Sequence, residues 1–297
     1  MILIITLGFL FILTAAVIEF HRKCIAKMEI LRNSIDSVQA LFLSEIGINL
    51  GKDILEKDKN SYDWLGEDWA KEIRISLEEG EINVKIEDEN KKLNLNSILK
   101  EKGETNTLLL NLAKKIFIEL GYSENTIDSF LDWIDEDDIP RVFGAESSYY
   151  KSLPTPYSCP NRSLYSIEEL NLIKGFTEEL LYGNEEKNIP GFLNFVTIDS
   201  DNTINVNTCE PILLKSLGFP EEEVNEILLE RGEKPLEANY LIKINKEVYL
   251  KNKSLIVFKS KFFSVVSVGT TKTGYTRKIR TVFKKDKELV AVKTEYF

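Results

Sequence analysis

The stretch MILIITLGFLFILTAAVIEF, residues 1–20, carries no charged side chain before Glu19. At about 1.5 Å of rise per residue, its uncharged part would extend about 27 Å as a helix, close to the roughly 30 Å of a bilayer's hydrocarbon core. The basic triplet HRK follows at residues 21–23. A cleaved secretory signal has the opposite order, with basic residues first and small residues last. We therefore expect these residues to begin a membrane-spanning helix.

The helical pattern continues beyond the predicted span, through residues 24–55. Apolar side chains recur there at helical spacing, so that they line one face. The recurring positions are Ile30, Leu31, Ile35, Val38, Leu41, Phe42, Ile46 and Ile48. The pattern predicts one long helix that begins in lipid and then becomes amphipathic. Such a helix is either a single-span anchor or the spine of a pilin-like fold.

Composition and charge exclude several classes of function. The chain has 297 residues and a formal net charge of −10, which disfavours nucleic acid as the main partner. The single histidine, His21, argues against histidine-based catalysis and multi-histidine metal sites. The cysteines Cys24, Cys159 and Cys209 form no CxxC pair, so zinc and thioredoxin-like redox sites lack support. A Cys159–Cys209 disulfide stays open, because spacing alone does not decide it.

The remaining pattern predicts strands at both ends of the body and helices between them. Residues 81–88, EINVKIED, alternate apolar and polar side chains as a half-buried strand does. Helical segments follow at residues 106–121 and 124–138. Residues 196–208, VTIDSDNTINVNT, resemble a hairpin with Asp-Asn at its turn. Residues 254–294 contain four further strand-like segments.

A faint internal repeat divides the helical part. KLNLNSIL at residues 92–99 parallels TINVNTCEPILL at residues 203–214. Each copy has apolar residues alternating with two asparagines and then Ser97 or Thr208 close to the start of a helix. The repeat predicts two small helical modules inserted into a strand-bearing domain.

The segment DWIDEDDIPRVFGAESSYY, residues 132–150, concentrates carboxylates around a proline and a glycine. Counted from Asp135 as position one, Asp137 and Glu146 occupy positions three and twelve of a calcium-binding loop. Position six is Pro140, where an EF-hand has glycine, so no EF-hand is predicted. The loop still offers enough hard oxygen donors for calcium. The expected ligands are Asp135, Asp137, Asp138 and Glu146.

Other interpretations of the acidic segment stay open. Asp128, Asp132 and Asp135 recur at i, i+4 and i+7, so they would repel one another on one helix face unless a cation or water screens them. The segment is alternatively a solvated charge run, with Arg141 paired to one of its carboxylates. A carboxylate pair for glycoside hydrolysis fits the spacing, but nothing else in the chain indicates a sugar-binding cleft.

A rival function rests on LLKSLGFPEEEVNEILLER, residues 213–231, which has the outline of a helix-hairpin-helix motif. In nucleic-acid-binding proteins such a hairpin presents backbone amides and basic side chains to phosphate. Here Glu221, Glu222 and Glu223 follow the turn and would repel phosphate. A membrane-anchored helix-hairpin-helix nucleic-acid-binding protein is therefore the less favoured alternative.

Five segments, taken in order, resemble the type II secretion minor pseudopilin K family (general secretion pathway protein K). They are LFLSEIGINLGKDIL at 41–55, KKLNLNSIL at 91–99, FLDWIDEDDIPRVFGAESSYY at 130–150, PYSCPNRSLYSIEELNLIKGF at 156–176 and INVNTCEPILLKSLG at 204–218. The resemblance implies an α+β fold in which a pilin-like long N-terminal helix packs on an antiparallel sheet. It also implies a large inserted helical region, of SAM or helix-hairpin-helix type, that holds calcium.

The resemblance further implies a non-enzymatic role at the tip of the type II secretion pseudopilus. The protein would cross the inner membrane once, with its C-terminal domain in the periplasm. It would bind minor pseudopilins I and J and initiate the major pseudopilin filament for export of folded proteins. Prepilin peptidase would process and methylate its N-terminus. A membrane-anchored domain unrelated to secretion is a third hypothesis, which predicts no affinity for small pseudopilins.

The N-terminal residues bear on this resemblance in two ways. Other pilins carry Glu at the fifth mature position, and it pairs with the N-terminal amine of a neighbouring subunit. The K family lacks this Glu, and here the position is Ile5 if maturation falls near Met1 or Leu13 if it follows Gly8. The family's leader is basic and ends in Gly, whereas Gly8 has no basic residue before it. Because cleavage at Gly8 would leave too short an apolar stretch, we expect the numbering to begin near the mature N-terminus.

Together these patterns predict five parts of the chain. They are the membrane-spanning start of the spine helix (1–22), the pilin-like spine with the first strands (23–96), a first helical module with the acidic loop (97–202), a second helical module (203–240) and the C-terminal strands that complete the sheet (241–297).

Overall fold

The structure is a computed structural model that describes residues 1–99 and 104–297. Residues 100–103, which belong to the predicted first helical module, lie outside the described part. The helices are α1 (Ile2–Lys57), α2 (Thr107–Glu119), α3 (Ile127–Ile134), α4 (Ser147–Lys151), α5 (Glu178–Tyr182), α6 (Pro211–Leu217), α7 (Glu221–Glu233) and α8 (Ala238–Asn252). The strands are β1 (Ile73–Ser76), β2 (Gly80–Asp88), β3 (Leu93–Asn94), β4 (Gly183–Asn184), β5 (Ile189–Pro190), β6 (Val196–Thr197), β7 (Ile204–Asn205), β8 (Ile256–Val257), β9 (Phe262–Thr271), β10 (Thr276–Lys285) and β11 (Leu289–Tyr296).

Helix α1 has two parts with different surroundings. Residues 2–20 are exposed in the isolated chain, and the most apolar window of α1 has a mean hydropathy of 2.5. The helix is therefore long and apolar enough to cross a membrane. Further along, one face packs on the sheet. The buried residues of α1 are Ala40, Leu43, Ser44, Gly47, Gly51 and Leu55. The long helix predicted from the sequence is confirmed.

Small side chains allow α1 to lie close against the sheet. A Cβ atom at Gly51 would overlap the side chain of Val265 on β9. The hydroxyl of Ser44 accepts a hydrogen bond from the Gly269 N–H at 2.9 Å and donates to the Arg277 carbonyl at 2.8 Å. This serine therefore ties the helix to two neighbouring strands as well as packing against them.

The main sheet has the strand order β1-β2-β9-β10-β11, and every neighbouring pair is antiparallel. Strands β2 and β9 are neighbours although they lie far apart in the sequence; Val84 pairs with Ser267 and Ile86 with Val265. The chain between β2 and β9 is thus an insertion between two adjacent strands. The antiparallel sheet predicted behind the spine helix is confirmed.

The inserted region has one hydrophobic core of its own, separate from the core between α1 and the sheet. Helix α2, from the predicted first module, packs on α6, from the predicted second. The predicted boundary between residues 240 and 241 falls inside α8, whose Leu241 and Tyr249 are buried in the same core. The two predicted modules are therefore one packed unit, because each needs the other's apolar face to cover its own.

The hairpin predicted over residues 196–208 is wrong. Strand β6 pairs in parallel with β3, and β7 pairs in parallel with β8. The asparagines of the repeat explain why β3 and β7 are short. The Asn94 side chain accepts a hydrogen bond from the Asn96 N–H at 2.9 Å, and Asn205 accepts from the Asn207 N–H at 3.0 Å. Each strand therefore ends in an Asx turn, so the two copies of the repeat make the same local structure.

The carboxylate of Asp88, at the end of β2, joins the inserted region to the sheet. One of its oxygens accepts hydrogen bonds from the hydroxyls of Ser260 and Thr208, each at 2.6 Å, and from the Asn205 amide at 3.1 Å. The other accepts from the Asn90 N–H at 2.8 Å. Burial raises the pKa of Asp88 to about 6. Three segments that are distant in the sequence therefore meet at one buried side chain.

Asp88→Ala is expected to lower the free energy of unfolding by about 3 kcal/mol, because two hydroxyls and an amide would lose their buried acceptor. Denaturant unfolding of the full chain in detergent micelles measures this change. The control is Glu81→Ala, an exposed position on the same strand, for which we expect a change within about 0.5 kcal/mol. Equal losses in the two variants would contradict the role assigned to Asp88.

Candidate metal centre

Helix α3 places the acidic segment against the core of the inserted region. Phe130 and Trp133 are buried in that core, and the helix ends at Ile134. Asp135 then continues in an extended conformation, with φ −78° and ψ 170°. Asp132 lies on the buried side of the helix and has an exposed fraction of 0%. A carboxylate without solvent contact requires partners inside the protein.

Three carboxylates meet at this point: Asp132, Asp135 and Glu146. Each offers an oxygen atom, and these atoms lie within 4.8 Å of one another. The exposed fractions of Asp135 and Glu146 are only 8% and 2%. Glu146 lies at the N-cap position of α4, which follows the acidic loop, and its side chain makes no capping hydrogen bond. We call these three residues the acidic cluster.

Arg141 supplies the positive charge next to the acidic cluster. Its Nη1 atom lies 2.5 Å from Asp132 Oδ1 and 2.5 Å from Asp135 Oδ2. Its backbone N–H also donates to the Asp132 carboxylate, at 3.1 Å from Oδ2. The Arg141 pairing that the sequence left open is therefore present. The guanidinium carries one positive charge, whereas the acidic cluster has three carboxylates. Its charge therefore does not balance theirs.

Three oxygens of the acidic cluster have no hydrogen-bond partner within residues 1–99 and 104–297. They are Asp135 Oδ1, Glu146 Oε1 and Glu146 Oε2. The pKa of Glu146 is raised to about 7, first by burial and then by repulsion from Asp132 and Asp135. The pKa of Asp135 is also raised, mainly by burial. Unpaired, desolvated carboxylate oxygens at this separation are the donor set that a hard divalent cation prefers.

The structure places two of the four predicted ligands in the acidic cluster and two outside it. Asp135 and Glu146 lie in the acidic cluster, whereas Asp137 and Asp138 are exposed outside it. The Asp137 carboxylate instead accepts a hydrogen bond from the Ile139 N–H at 2.8 Å. This difference arises because α3 ends at Ile134 and the next residues turn towards solvent.

Asp132 belongs to the acidic cluster, although the predicted ligand set omitted it. The signal was its spacing of three residues from Asp135, at the end of a helix whose other face is apolar. The structure also shows that Gly144 leaves room for Asp132, since a Cβ atom there would overlap the Asp132 carboxylate. Asp128, which was expected on the same face, does not join the cluster.

A family model for type II secretion system protein K matches residues 91–183, the stretch that begins next to β3 and contains the whole acidic cluster. Curated relatives carry the same family name. This part of the chain is therefore similar to type II secretion system protein K.

The relatives of this family are moderately similar in sequence. The Pseudomonas aeruginosa protein K is 28% identical over 186 residues, which are 60% of this chain and 53% of the relative. The Klebsiella pneumoniae protein K is 28% identical over 208 residues, 64% of this chain and 60% of the relative. A putative protein K of Escherichia coli K12 is 30% identical over 144 residues, 44% of this chain and 42% of the relative. The alignments thus span roughly half the length of these relatives.

One solved structure has the same fold as this chain. It is the crystal structure of the GspK–GspI–GspJ complex from the type 2 secretion system of enterotoxigenic Escherichia coli. The match has a TM-score of 0.69 at 19% identity and covers 90% of this chain and 99% of the other. At this identity the likeness shows the fold, and it confirms the predicted pilin-like helix and sheet with an inserted helical region.

Aromatic side chains support the acidic cluster from the core side. Trp133 meets Tyr150 edge-on at 5.1 Å between ring centroids, and Tyr150 stacks on Tyr157 at 5.1 Å. The Tyr150 hydroxyl accepts a hydrogen bond from the Lys174 N–H at 3.1 Å. Because Trp133 lies on α3 and Tyr150 on α4, their contact holds the two elements next to the carboxylates in a fixed relation.

A second acidic group, Asp58, Asp63 and Glu67, lies where the chain leaves α1. Its charges are better satisfied than those of the acidic cluster. The Lys285 ammonium is 2.6 Å from Asp58 Oδ2 and 3.5 Å from Asp63 Oδ1. The Glu67 carboxylate accepts from the N–H groups of Trp64 and Trp69 and from an asparagine amide. This group is therefore a poorer candidate for a cation.

The cysteines are free thiols, and Cys159 and Cys209 form no disulfide. Cys159 lies near Glu146, and burial, followed by the charge of Glu146, raises the pKa of its thiol to about 12. Burial likewise raises the pKa of Cys209 to about 11. Both thiols therefore stay protonated near neutral pH and are unreactive.

The raised pKa of Glu146 predicts a pH-dependent stability in the presence of a chelator. Between its ordinary pKa of 4.5 and about 7, the folded chain holds a proton that the unfolded chain has released. The free energy of unfolding therefore falls as pH rises through this window.

Thermal unfolding at pH 5 and pH 7.5 with chelator tests this expectation. Glu146→Gln should flatten the difference between the two midpoints, whereas Glu186→Gln, at an exposed loop position, should leave it as in the parent. If both variants keep the parent's pH dependence, Glu146 does not titrate in this window.

Proposed function

We propose that this chain is a minor pseudopilin at the tip of the type II secretion pseudopilus, where it initiates filament assembly with minor pseudopilins I and J for export of folded proteins. The observation that carries the proposal is the combination of a family-specific inserted region with an α1 that is exposed and apolar at its start. Like the family, it works by assembly rather than by catalysis.

The place where the inserted region is attached supports the tip position. Helix α1 has 56 residues and is about 84 Å long. Shortly after its end, the Asp63 carboxylate accepts from the Ser260 N–H at 2.7 Å, and the Asp63 N–H donates to the Phe258 carbonyl at 2.9 Å. These contacts join the inserted region to the end of α1 that lies far from the apolar span. A bulky region there would block the addition of a subunit above it.

The N-terminal sequence supports the same position. Ile5 and Leu13 are apolar, and residues 1–18 contain no Asp or Glu. This apolar segment therefore offers no carboxylate of the kind that pairs with the N-terminal amine of a neighbouring pilin subunit. A subunit that needs no such neighbour fits the first position of a filament. Residues 2–20 would anchor it in the inner membrane, with the remaining chain in the periplasm.

The assembly partners are carried over from the GspK–GspI–GspJ complex, the solved structure with the same fold. In this proposal the exposed apolar face of α1 beyond the membrane packs against the helices of minor pseudopilins I and J and of the major pseudopilin filament. In this proposal, prepilin peptidase processes and methylates the N-terminus of the subunit.

We also propose that the acidic cluster holds a structural calcium ion. Asp132, Asp135 and Glu146 would be its protein carboxylates, because their oxygens converge and three of them lack hydrogen bonds within the described residues. Calcium takes six to eight oxygen ligands, so carbonyl groups or water would complete the set. Bound calcium would remove the repulsion among the carboxylates and stabilise the loop between Asp135 and Glu146.

The helix-hairpin-helix alternative is not favoured. Helices α6 and α7 do form a hairpin, with Gly218 at a φ of +113° in its turn. The first turn of α7, however, carries Glu221, Glu222 and Glu223, and Lys215 forms an ion pair with Glu221. A phosphate approaching this turn would meet carboxylates instead of free cations.

Calcium is expected to raise the thermal midpoint of the full chain in detergent micelles, with magnesium as the comparison ion. At a concentration one hundred times its dissociation constant, an ion that binds only the folded state adds about 2.7 kcal/mol. Asp132→Asn and Glu146→Gln should abolish the calcium-dependent rise, whereas Asp138→Asn should keep it. A rise that survives the first two substitutions would assign the ion to another place.

The assembly proposal is tested by mixing the full chain with minor pseudopilins I and J in detergent and measuring complex formation by size-exclusion chromatography. We expect a ternary complex that is lost when Ile35, Val38 and Phe42, which are exposed on α1, are all changed to Ser. Leu229→Ser, at an exposed apolar position on α7, is the matched control and should assemble as the parent does. Absence of any complex with the parent chain would overturn the proposal.

A further inference from the structure

Three large apolar side chains stand exposed on the loop that follows the acidic run. The exposed fractions are 75% for Ile139, 89% for Val142 and 52% for Phe143. We call residues 139–143 the apolar loop. Single exposed apolar residues are common on protein surfaces, but three within five positions form a patch that calls for an explanation.

The backbone of the apolar loop is held in place at both ends. The Ile139 N–H donates to the Asp137 carboxylate at 2.8 Å, and the Asp137 carbonyl accepts from the Asn161 amide at 3.1 Å. At the other end, the Gly144 N–H donates to the Arg141 carbonyl at 3.1 Å. The Gly144 carbonyl accepts a hydrogen bond from the Lys174 ammonium at 3.0 Å. A loop fixed in this way presents its side chains without a large loss of conformational entropy on binding.

Arg141 explains why the apolar side chains point outward. Its guanidinium is directed to Asp132 and Asp135 in the acidic cluster, and its backbone N–H donates to Asp132 as well. With residue 141 turned inward, Val142 is left exposed on the outside of the loop. The acidic cluster therefore also serves as the anchor of the apolar loop.

The border of the apolar loop is acidic. Glu136, Asp137 and Asp138 precede it directly, and all three are exposed. The guanidinium of Arg141 does not cancel their charge, because it is paired within the acidic cluster. A ligand that covers the apolar side chains would therefore gain from carrying positive charge at its edge.

We propose that the apolar loop is a docking surface for a polypeptide segment in which apolar side chains are flanked by Lys or Arg. The apolar side chains would cover Ile139, Val142 and Phe143, and the basic ones would face the three exposed carboxylates. A membrane surface fits less well, because anionic lipid headgroups would be repelled by these carboxylates and the inserted region joins α1 far from its apolar span. A second copy of this chain carries the same acidic border, so it would also be repelled.

A peptide probe tests the proposal directly. The probe is the synthetic peptide Lys-Leu-Lys-Phe-Lys-Leu-Lys, titrated calorimetrically into the full chain in zwitterionic nanodiscs, with empty nanodiscs subtracted. The comparison peptide replaces every Lys with Glu. We expect saturable binding of the basic peptide that weakens with added salt, and no binding of the acidic one.

Variants locate the binding on the chain. Val142→Ser combined with Phe143→Ser should weaken binding of the basic peptide at least about tenfold, and Asp137→Asn combined with Asp138→Asn should weaken it and reduce its salt dependence. Leu229→Ser, at 76% exposure on a different surface, is the matched control and should bind as the parent does. Thermal midpoints equal to the parent's would show that the exposed substitutions leave the fold intact.

Three results would overturn the proposal. They are absence of binding to the parent chain, unchanged binding by the Val142→Ser and Phe143→Ser variant, and equal binding of the acidic peptide. The same variant is expected to assemble with minor pseudopilins I and J. The apolar loop belongs to the inserted region, whose core is separate from the core between α1 and the sheet. Failure of this inference is therefore distinguishable from failure of the proposed function.

Discussion

The carboxylate of Asp88 is the contact on which the arrangement of this protein depends. It lies without solvent exposure where the chain leaves the sheet, and it accepts hydrogen bonds from Ser260, where the chain returns, and from Thr208 and Asn205 within the insertion. A buried carboxylate that lost these donors would be strongly unfavourable, so the sheet and the inserted region are held in one relative position. That position places the inserted region at the end of α1 that is far from the apolar span.

The acidic cluster shows the same physics with an incomplete set of partners. Asp88 has four donors. In the acidic cluster, Asp132 and Asp135 share one guanidinium, and Asp135 and Glu146 keep unpaired oxygens among the described residues. This contrast separates a carboxylate whose oxygens are all hydrogen-bonded by the protein from carboxylates that keep unpaired oxygens. The group around Lys285 is closer to the first kind, because an ammonium and several N–H donors occupy most of its oxygens and leave only Asp63 Oδ1 without a hydrogen bond among the described residues.

The two parts of helix α1 differ in how their apolar side chains are covered. Its first part has exposed apolar side chains all round, as a helix in lipid does. Its second part buries a narrow face that contains Gly47 and Gly51, where a Cβ atom would overlap side chains of β2 and β9. The glycines cost helix stability in isolation, and the close contact with the sheet compensates for that loss. The same helix is therefore apolar enough to cross a membrane at its start and supports the sheet further along.

The sequence by itself determined what depends on local pattern: the apolar span, the long helix, the alternating strands and the presence of an acidic loop. Apolar periodicity and charge order are properties of neighbouring residues, so they can be read without the fold. Tertiary structure decided the rest. Residues 196–208 pair with distant strands instead of each other, and the two helical modules share one core. Asp132 replaces Asp137 and Asp138 in the acidic cluster because the end of α3 and the approach of Glu146 are set by packing, which no local spacing encodes.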